Sequence, residues 1–302
     1  MPPQFYLAIG SRPRRRDVYV SQAVGQQMFL APLGSDGARL LARTPGAIVI
    51  GDSGAYPPDN QYRITLADYA TQITAWTPRP GFRFAISYDH IGDLRATERD
   101  DIALRQVLGR SHTPANLVPV AQVGQKVSDV LGDPLADLDA EELADALSYG
   151  VSFASGPVEH PVLAIGGLAT WRYATAAMAW LDVFLVELQR LSWYDPSIAT
   201  VHLLGVGRAE IAIRSPLIES FDSSGPVRTA GYGWGNIAPN FTEAYGLSKA
   251  KLQISREARL AYHLCQLRDR VGLPWRAADP EALLDDAPQP IAVAVQLDLV
   301  PV

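Results

Sequence analysis

Glu219-Ser220-Phe221-Asp222-Ser223-Ser224-Gly225-Pro226-Val227-Arg228 is the stretch on which the fold is decided. It reads as a short strand that carries one acidic side chain, Asp222, to its carboxyl end and then breaks into a turn at Gly225-Pro226. An acid at the carboxyl end of a strand is where an α/β barrel keeps its chemistry. Outward from it, Gly51-Asp52-Ser53-Gly54, Ser87-Tyr88-Asp89-His90 and Ala121-Gln122-Val123-Gly124 repeat the design, each closing an apolar run with a polar residue.

Between these stretches the periodicity alternates. Strands are expected over residues 5–11, 47–50, 82–88, 117–123, 162–165, 201–204 and around Asp222, with a further short strand over 151–154. Helices are expected over 65–76, 96–108, 140–147, 170–191, 209–214, and from about 242 or 248 to 271. Thr65 with Asp68 forms a capping-box-like start. Residues 18–33 fit helix and strand equally. Strands alternating with helices imply a parallel sheet, and seven or eight of them imply closure into a TIM-type (β/α)8 barrel. Residues 1–240 are read as that barrel and 241–302 as a C-terminal helix and Pro-rich tail packed on it, a C-terminal helical extension with no zinc subdomain.

Composition narrows the function classes. A chain of 302 residues with 48% hydrophobic content can bury a large core. No apolar run reaches the roughly 18 residues needed to span a bilayer, and residues 174–191, which carry Asp182, Glu187, Gln189 and Arg190, read as a buried helix. No membrane association is expected. Arg14 to Arg16 follow the first apolar stretch instead of preceding it, so a signal-peptide layout is missing and a cytoplasmic location is the expectation. With Cys265 as the one cysteine, an intramolecular disulfide and a Cys-rich zinc site are both excluded. His90, His112, His160, His202 and His263 show no two-His helical spacing with an acid, so no metal and no other cofactor is expected. The net charge of −6 argues against a generally basic nucleic-acid binder. Local basic faces remain open at Arg12, Arg14, Arg15 and Arg16, and at Arg256, Arg259, Arg268 and Arg270.

If the strands close, Asp52, Asp89, Gln122, Gly167 and Asp222 converge on one rim. Two carboxylates near a sugar carbon are the pair that retaining glycosyl transfer needs, one attacking C1′ and the other moving protons. A third carboxylate, an amide and a Gly backbone N–H suit the polar edge of a purine, and close approach of that N–H accounts for a glycine pair at a strand end.

Taken in order, Asp52-Ser53-Gly54-Ala55-Tyr56, Tyr88-Asp89, Val120-Ala121-Gln122, Ala164-Ile165-Gly166-Gly167-Leu168-Ala169, His202-Leu203-Leu204-Gly205-Val206-Gly207, and Phe221-Asp222 with Pro226-Val227-Arg228 form a set. That set resembles the tRNA-guanine transglycosylase (queuine/archaeosine tRNA-ribosyltransferase) superfamily, most closely its DNA-acting DpdA branch, which puts 7-deazaguanines into DNA. The resemblance covers roughly residues 47–233. It implies that Asp222 is the nucleophile forming a covalent intermediate at C1′ and that Asp52 is the general acid/base. It further implies that Asp89 binds the N1 and 2-amino edge of the base, that Gln122 and the Gly167 N–H bind O6 within the Gly166-Gly167-Leu168 turn, and that Tyr56 and Leu204 sandwich the ring.

Departures from the family pattern point to DNA. The tRNA enzymes carry a zinc subdomain of three cysteines and a histidine, which this chain cannot build. Pro57 replaces a Gln that contacts the ribose region, tolerable where the sugar lacks a 2′-hydroxyl. Thr170, Trp171 and Arg172 stand where the bacterial enzymes have a Glu that selects an aminomethyl base, so a neutral base such as preQ0 fits better. A guanine in a duplex must leave the stack to be reached, and Tyr232, Trp234 and Arg228 are the candidate nucleic-acid contacts. The expected partners are DNA, with tRNA as the alternative, and a free 7-deazaguanine base. A homodimer or partner protein is allowed, and the alternative role is that of a non-catalytic accessory subunit of a transglycosylase.

Overall fold

The structure, a computed structural model, describes residues 2–54, 64–109, 117–125, 163–168, 175–194, 200–206, 208–231 and 255–275. In chain order the strands are β1 (Gln4–Ala8), β2 (Met28–Pro32), β3 (Ile48–Asp52), β4 (Phe82–Ile86), β5 (Leu117–Val118), β6 (Val120–Gln122), β7 (Leu163–Gly166), β8 (Val201–Leu203) and β9 (Ile218–Ser223). The helices are α1 (Arg15–Ala23), α2 (Asp36–Leu41), α3 (Leu66–Trp76), α4 (Leu94–Gly109), α5 (Thr175–Tyr194), α6 (Ala209–Ala212), α7 (Gly225–Gly231) and α8 (Arg256–Arg270).

All strand pairs are parallel, in the order β5-β4-β3-β2-β1-β9-β8-β7-β6. The two end members are consecutive in the chain, separated by Pro119 alone. Proline has no N–H to give a ladder, and at this point the segment changes neighbour: Val118 O accepts from Ser87 N on one side and Pro119 O accepts from Ala164 N on the other, both at 2.8 Å. The sheet thus returns on itself, and with 117–122 counted as one rung it is the expected (β/α)8 barrel.

Both faces of this sheet are covered, and the side chains sort by the period of 2. Tyr6, Leu30, Ile50, Phe84, Ile86, Val118, Val120 and Ala164 fill the interior. Their chain neighbours Phe5, Leu7, Phe29, Val49, Leu163, Ile165, Val201, Leu203 and Phe221 join the larger layer under the helices. The same alternation continued upward aims Asp52, Gln122 and Asp222 inward at the carboxyl rim.

Local signals explain most elements. Thr65 Oγ1 accepts from Asp68 N at 3.1 Å and donates to its carboxylate at 2.8 Å, so the cap expected from the sequence forms, with its return bond made by the hydroxyl in place of the backbone N–H. The ambiguous 18–33 stretch resolves into α1, a turn through Gly25 at φ +92°, and β2. Gly225-Pro226 opens α7 instead of a turn, which corrects the sequence reading: a proline in the first helical turn gives up only an N–H that has no intrahelical partner. Helix α5 is not buried all round, since Val183 is 68% and Val186 52% exposed. Helix α8 packs against α1 and α7. The helix expected over 140–147, the strand expected over 151–154 and the tail beyond 275 lie outside the described residues. Among the described residues no helix is long and apolar enough to cross a membrane.

Candidate active site

The carboxyl ends of β3, β4, β6 and β9 bring four of the expected side chains to one rim. Asp222 is 4% exposed, Asp89 3% and Gln122 1%, while Asp52 is half-buried. Burial in the barrel mouth, then the charge on Asp89, and in smaller part that on Asp222, push the Asp52 carboxyl up to about 7; the Gly54 N–H, 2.9 Å from Oδ2, pulls the other way without prevailing. Asp52 therefore feels both of the other acids. Tyr69 of α3 feels Asp52 and Asp89 as well; mainly burial, and then those charges, raise its phenol well above the ordinary range. It stays a donor, to Ile86 O at 2.6 Å, and so ties α3 to the end of β4.

Asp89 lies beyond the end of β4, in a loop that is held on several sides. His90 N donates to Thr97 Oγ1 at 2.9 Å, that hydroxyl bonds back to His90 O at 3.1 Å, and the His90 ring meets Asp100 at 2.7 Å. Tyr88 OH donates to Ile64 O at 2.8 Å, and Ser87 Oγ bonds to Asp101 of α4. A loop pinned this way can aim a carboxylate. Asp89 accepts from Gln122 Nε2 at 3.2 Å and from Ser53 Oγ at 3.5 Å.

Gln122 is held at its backbone, whose N–H donates to Gln125 Oε1 at 2.7 Å. With Nε2 committed to Asp89, its Oε1 is buried with no partner among the described residues. The glycine pair beside it has a steric reason. A Cβ on Gly166 would sit 3.1 Å from Gln122 Nε2, and one on Gly167, whose φ is +82°, would sit 3.1 Å from Oε1. Any side chain there would push the amide out of place. An orphaned buried amide oxygen costs about 1–3 kcal/mol, which a ligand donor would relieve.

Both hydrogen bonds of Asp222 fall on one oxygen. Oδ1 accepts from Gly205 N at 3.1 Å and lies 3.3 Å from His202 Nε2; Oδ2 has no partner among the described residues. His202, fully buried, and Ser220, 2.9 Å from its Nδ1, were not singled out from the sequence. A signal for both existed: each stands two residues before an expected site residue, Leu204 and Asp222, and so shares its inward face.

The remaining expectations divide. Leu204 is half-buried at the top of the interior layer. Leu168 is fully buried in the outer layer, so its side chain does not line the mouth. Arg228 is exposed on α7, directly after the Asp222 strand. Arg12, Arg14 and Arg15 are exposed in and beside the loop after β1, the strand paired with β9. Three of the other basic cluster serve the fold: Arg256 pairs with Asp17, Arg259 Nε donates to Ala230 O at 3.0 Å, and Arg268 donates to Gln26 and Pro274 O, while Arg270 is exposed at the end of α8. Tyr56, Tyr232 and Trp234 lie outside the described residues. Among the described residues no three His, Cys, Asp or Glu side chains stand close enough to hold a metal ion.

The arrangement can present an open carboxylate oxygen, a carboxyl that exchanges its proton near neutrality, and a polar cradle between them. No family model and no curated protein matches the chain. Among solved structures it is similar to "4-hydroxy-2-oxoglutarate aldolase/2-deydro-3-deoxyphosphogluconate aldolase from TTHB1", at 13% identity over 87% of this chain and 94% of that one, with a TM-score of 0.39. A likeness that low carries nothing about chemistry.

Proposed function

We propose that the protein exchanges guanine in DNA for a 7-deazaguanine base. The observation that carries this reading is the division of labour between two carboxylates in one mouth. Asp222 has one oxygen pinned and the other open, as a nucleophile needs. Asp52, pushed up to about 7, can protonate a departing base and later take a proton from the incoming one. In the first step the Asp222 Oδ2 lone pair forms the bond to C1′ while the C1′–N9 bond breaks, its electron pair leaving with guanine, which is protonated by Asp52. In the second, the incoming base loses a proton to Asp52 and its nitrogen displaces the carboxylate from C1′.

Asp89, Gln122 and the Gly166-Gly167 turn form the cradle for the base edge, consistent with the roles that the family resemblance implies. Nε2 gives one hydrogen to Asp89 and keeps a second that can serve O6, while Oε1 offers an acceptor. Exposed arginines following β1 and β9, Arg228 among them on α7, suit backbone phosphates.

The test is incorporation of labelled preQ0, and separately of labelled guanine, into duplex DNA, single-stranded DNA and unmodified tRNA by the purified protein. Label in DNA is the expected result. Label in tRNA alone would overturn the choice of substrate, and label in none would bring forward the accessory-subunit reading.

A further inference from the structure

His202 stands directly beneath Asp222 on the inner face. It lies on β8, whose Cα register places it opposite Ser220 on β9, and it has no exposed surface. Two aromatic rings approach it edge-on, Tyr6 at 5.8 Å between centroids and Phe84 at 5.8 Å. Burying an imidazole among apolar groups is costly unless both nitrogens are satisfied. Both are: Nδ1 lies 2.9 Å from Ser220 Oγ and Nε2 3.3 Å from Asp222 Oδ1.

The partners assign the proton. A carboxylate offers only acceptors, so Nε2 carries the hydrogen, and in the neutral ring Nδ1 is then bare and takes the Ser220 O–H. A second donor, the Gly205 N–H, reaches the same carboxylate oxygen at 3.1 Å from a residue at φ +68°. Two donors on one oxygen and none on the other make the carboxylate asymmetric.

We propose that His202, held by Ser220, is a positioning residue that fixes Asp222 with Oδ1 as its non-reacting oxygen and Oδ2 as its attacking one. This rests on the reading of Asp222 as the nucleophile. In the covalent step Oδ2 bonds to C1′ and Oδ1 becomes the ester carbonyl, which keeps both hydrogen bonds. When the second base displaces the enzyme, negative charge returns to a carboxylate that already faces two donors, which stabilises the departing group. The Tyr6 and Phe84 rings pack edge-on against the imidazole and hold its plane.

The experiment has two arms, on His202→Phe, which keeps a flat ring between Tyr6 and Phe84, and on His202→Gln, which restores an N–H donor. In the first arm, 15N spectra of the histidine rings in the intact protein are recorded without substrate. The expected result is an Nε2–H tautomer for the resonance missing from His202→Phe, with a signal that moves in Asp222→Ala. An Nδ1–H tautomer, or indifference to Asp222→Ala, overturns the pairing whatever the protein's substrate. In the second arm, single-turnover formation of the covalent adduct is followed on a guanine-containing oligonucleotide alongside its Kd. His202→Phe is expected to slow adduct formation about a hundredfold with Kd changed less than about threefold, and His202→Gln to recover at least about tenfold. Equal rates in folded His202→Phe and wild type would sink the positioning role. Absence of adduct in the wild type would instead fail the base-exchange reading, and the ring spectra would still decide the pairing.

Discussion

Two polar regions of this barrel are buried to a similar degree and built on opposite terms. At the seam of α1 and α8, acids meet bases, as Asp17 is bonded by Arg256 and Glu257 stands 3.9 Å from Arg16, while the Arg268 guanidinium gives its donors to the neutral oxygens of Gln26 and Pro274, the latter at 2.8 and 2.6 Å. At the mouth, Asp52 has Asp89 and Asp222 as its charged neighbours, like facing like. Folding alone favours the first arrangement, because an uncompensated buried charge costs several kcal/mol. The second persists where shifted protonation is useful. The difference teaches that burial of charge is no mark of function, whereas burial of like charges together is.

Substitutions at the two regions should therefore part stability from activity. Asp222→Ala is expected to abolish exchange, a fall of more than about a thousandfold, while unfolding free energy changes modestly, because two donors left unmet at about 1–3 kcal/mol each are set against the repulsion with Asp52 that the change removes. Activity assays beside denaturant unfolding would show it; a folded variant that kept most of its activity would remove Asp222 from the chemistry. At the seam the pattern reverses. Arg256→Met strands the Asp17 carboxylate and should lower unfolding free energy by about 3 kcal/mol, with kcat unchanged for the fraction that is folded. A loss below about 0.5 kcal/mol would show the seam to be no more than surface pairing.

The smallest expected effect has a sign that distinguishes the regions. Folding raises the Asp52 carboxyl from 3.8 to about 7, so the folded chain holds that proton more tightly than the unfolded one. Stability is then complete below about pH 3.8 and declines as pH rises to about 7. Asn at this position keeps an acceptor for Gly54 N–H and carries no charge. Asp52→Asn should thus be more stable than wild type at pH 8 by about 1–3 kcal/mol, with the advantage gone near pH 3.5. Urea titrations at the two pH values would measure it, and a variant less stable than wild type at pH 8 would mean that Asp52 is compensated at the mouth.

Much of this was legible along the chain. The apolar runs at β3 and β7 are continuous because both sheet faces are covered, and Asp52 at the end of β3 and Asp89 after β4 read as site residues because nothing in a strand calls for an acid there. The start of α3 could be read from Thr65 and Asp68 alone. Other readings needed space. Gly225-Pro226 is compatible with a turn and with a helix start, and the chain continues into α7. Arg256, Arg259 and Arg268 look like a basic face until their partners, distant in sequence, are in view. Leu168 belongs to a glycine-rich motif yet turns its side chain into the outer core. His202 stands in a motif yet takes no role of its own from the sequence, since a period of 2 assigns a face only once the neighbouring strands are in register.

By itself, then, the sequence determined the alternation of strand and helix, the barrel they make, and which side chains end each strand, because these follow from local periodicity and from turn chemistry. Tertiary structure alone decided which carboxylates share a charge, which oxygen of Asp222 is pinned, and which arginines are occupied within the fold. Those are properties of distance and dielectric between residues far apart in the chain, and no local pattern encodes them.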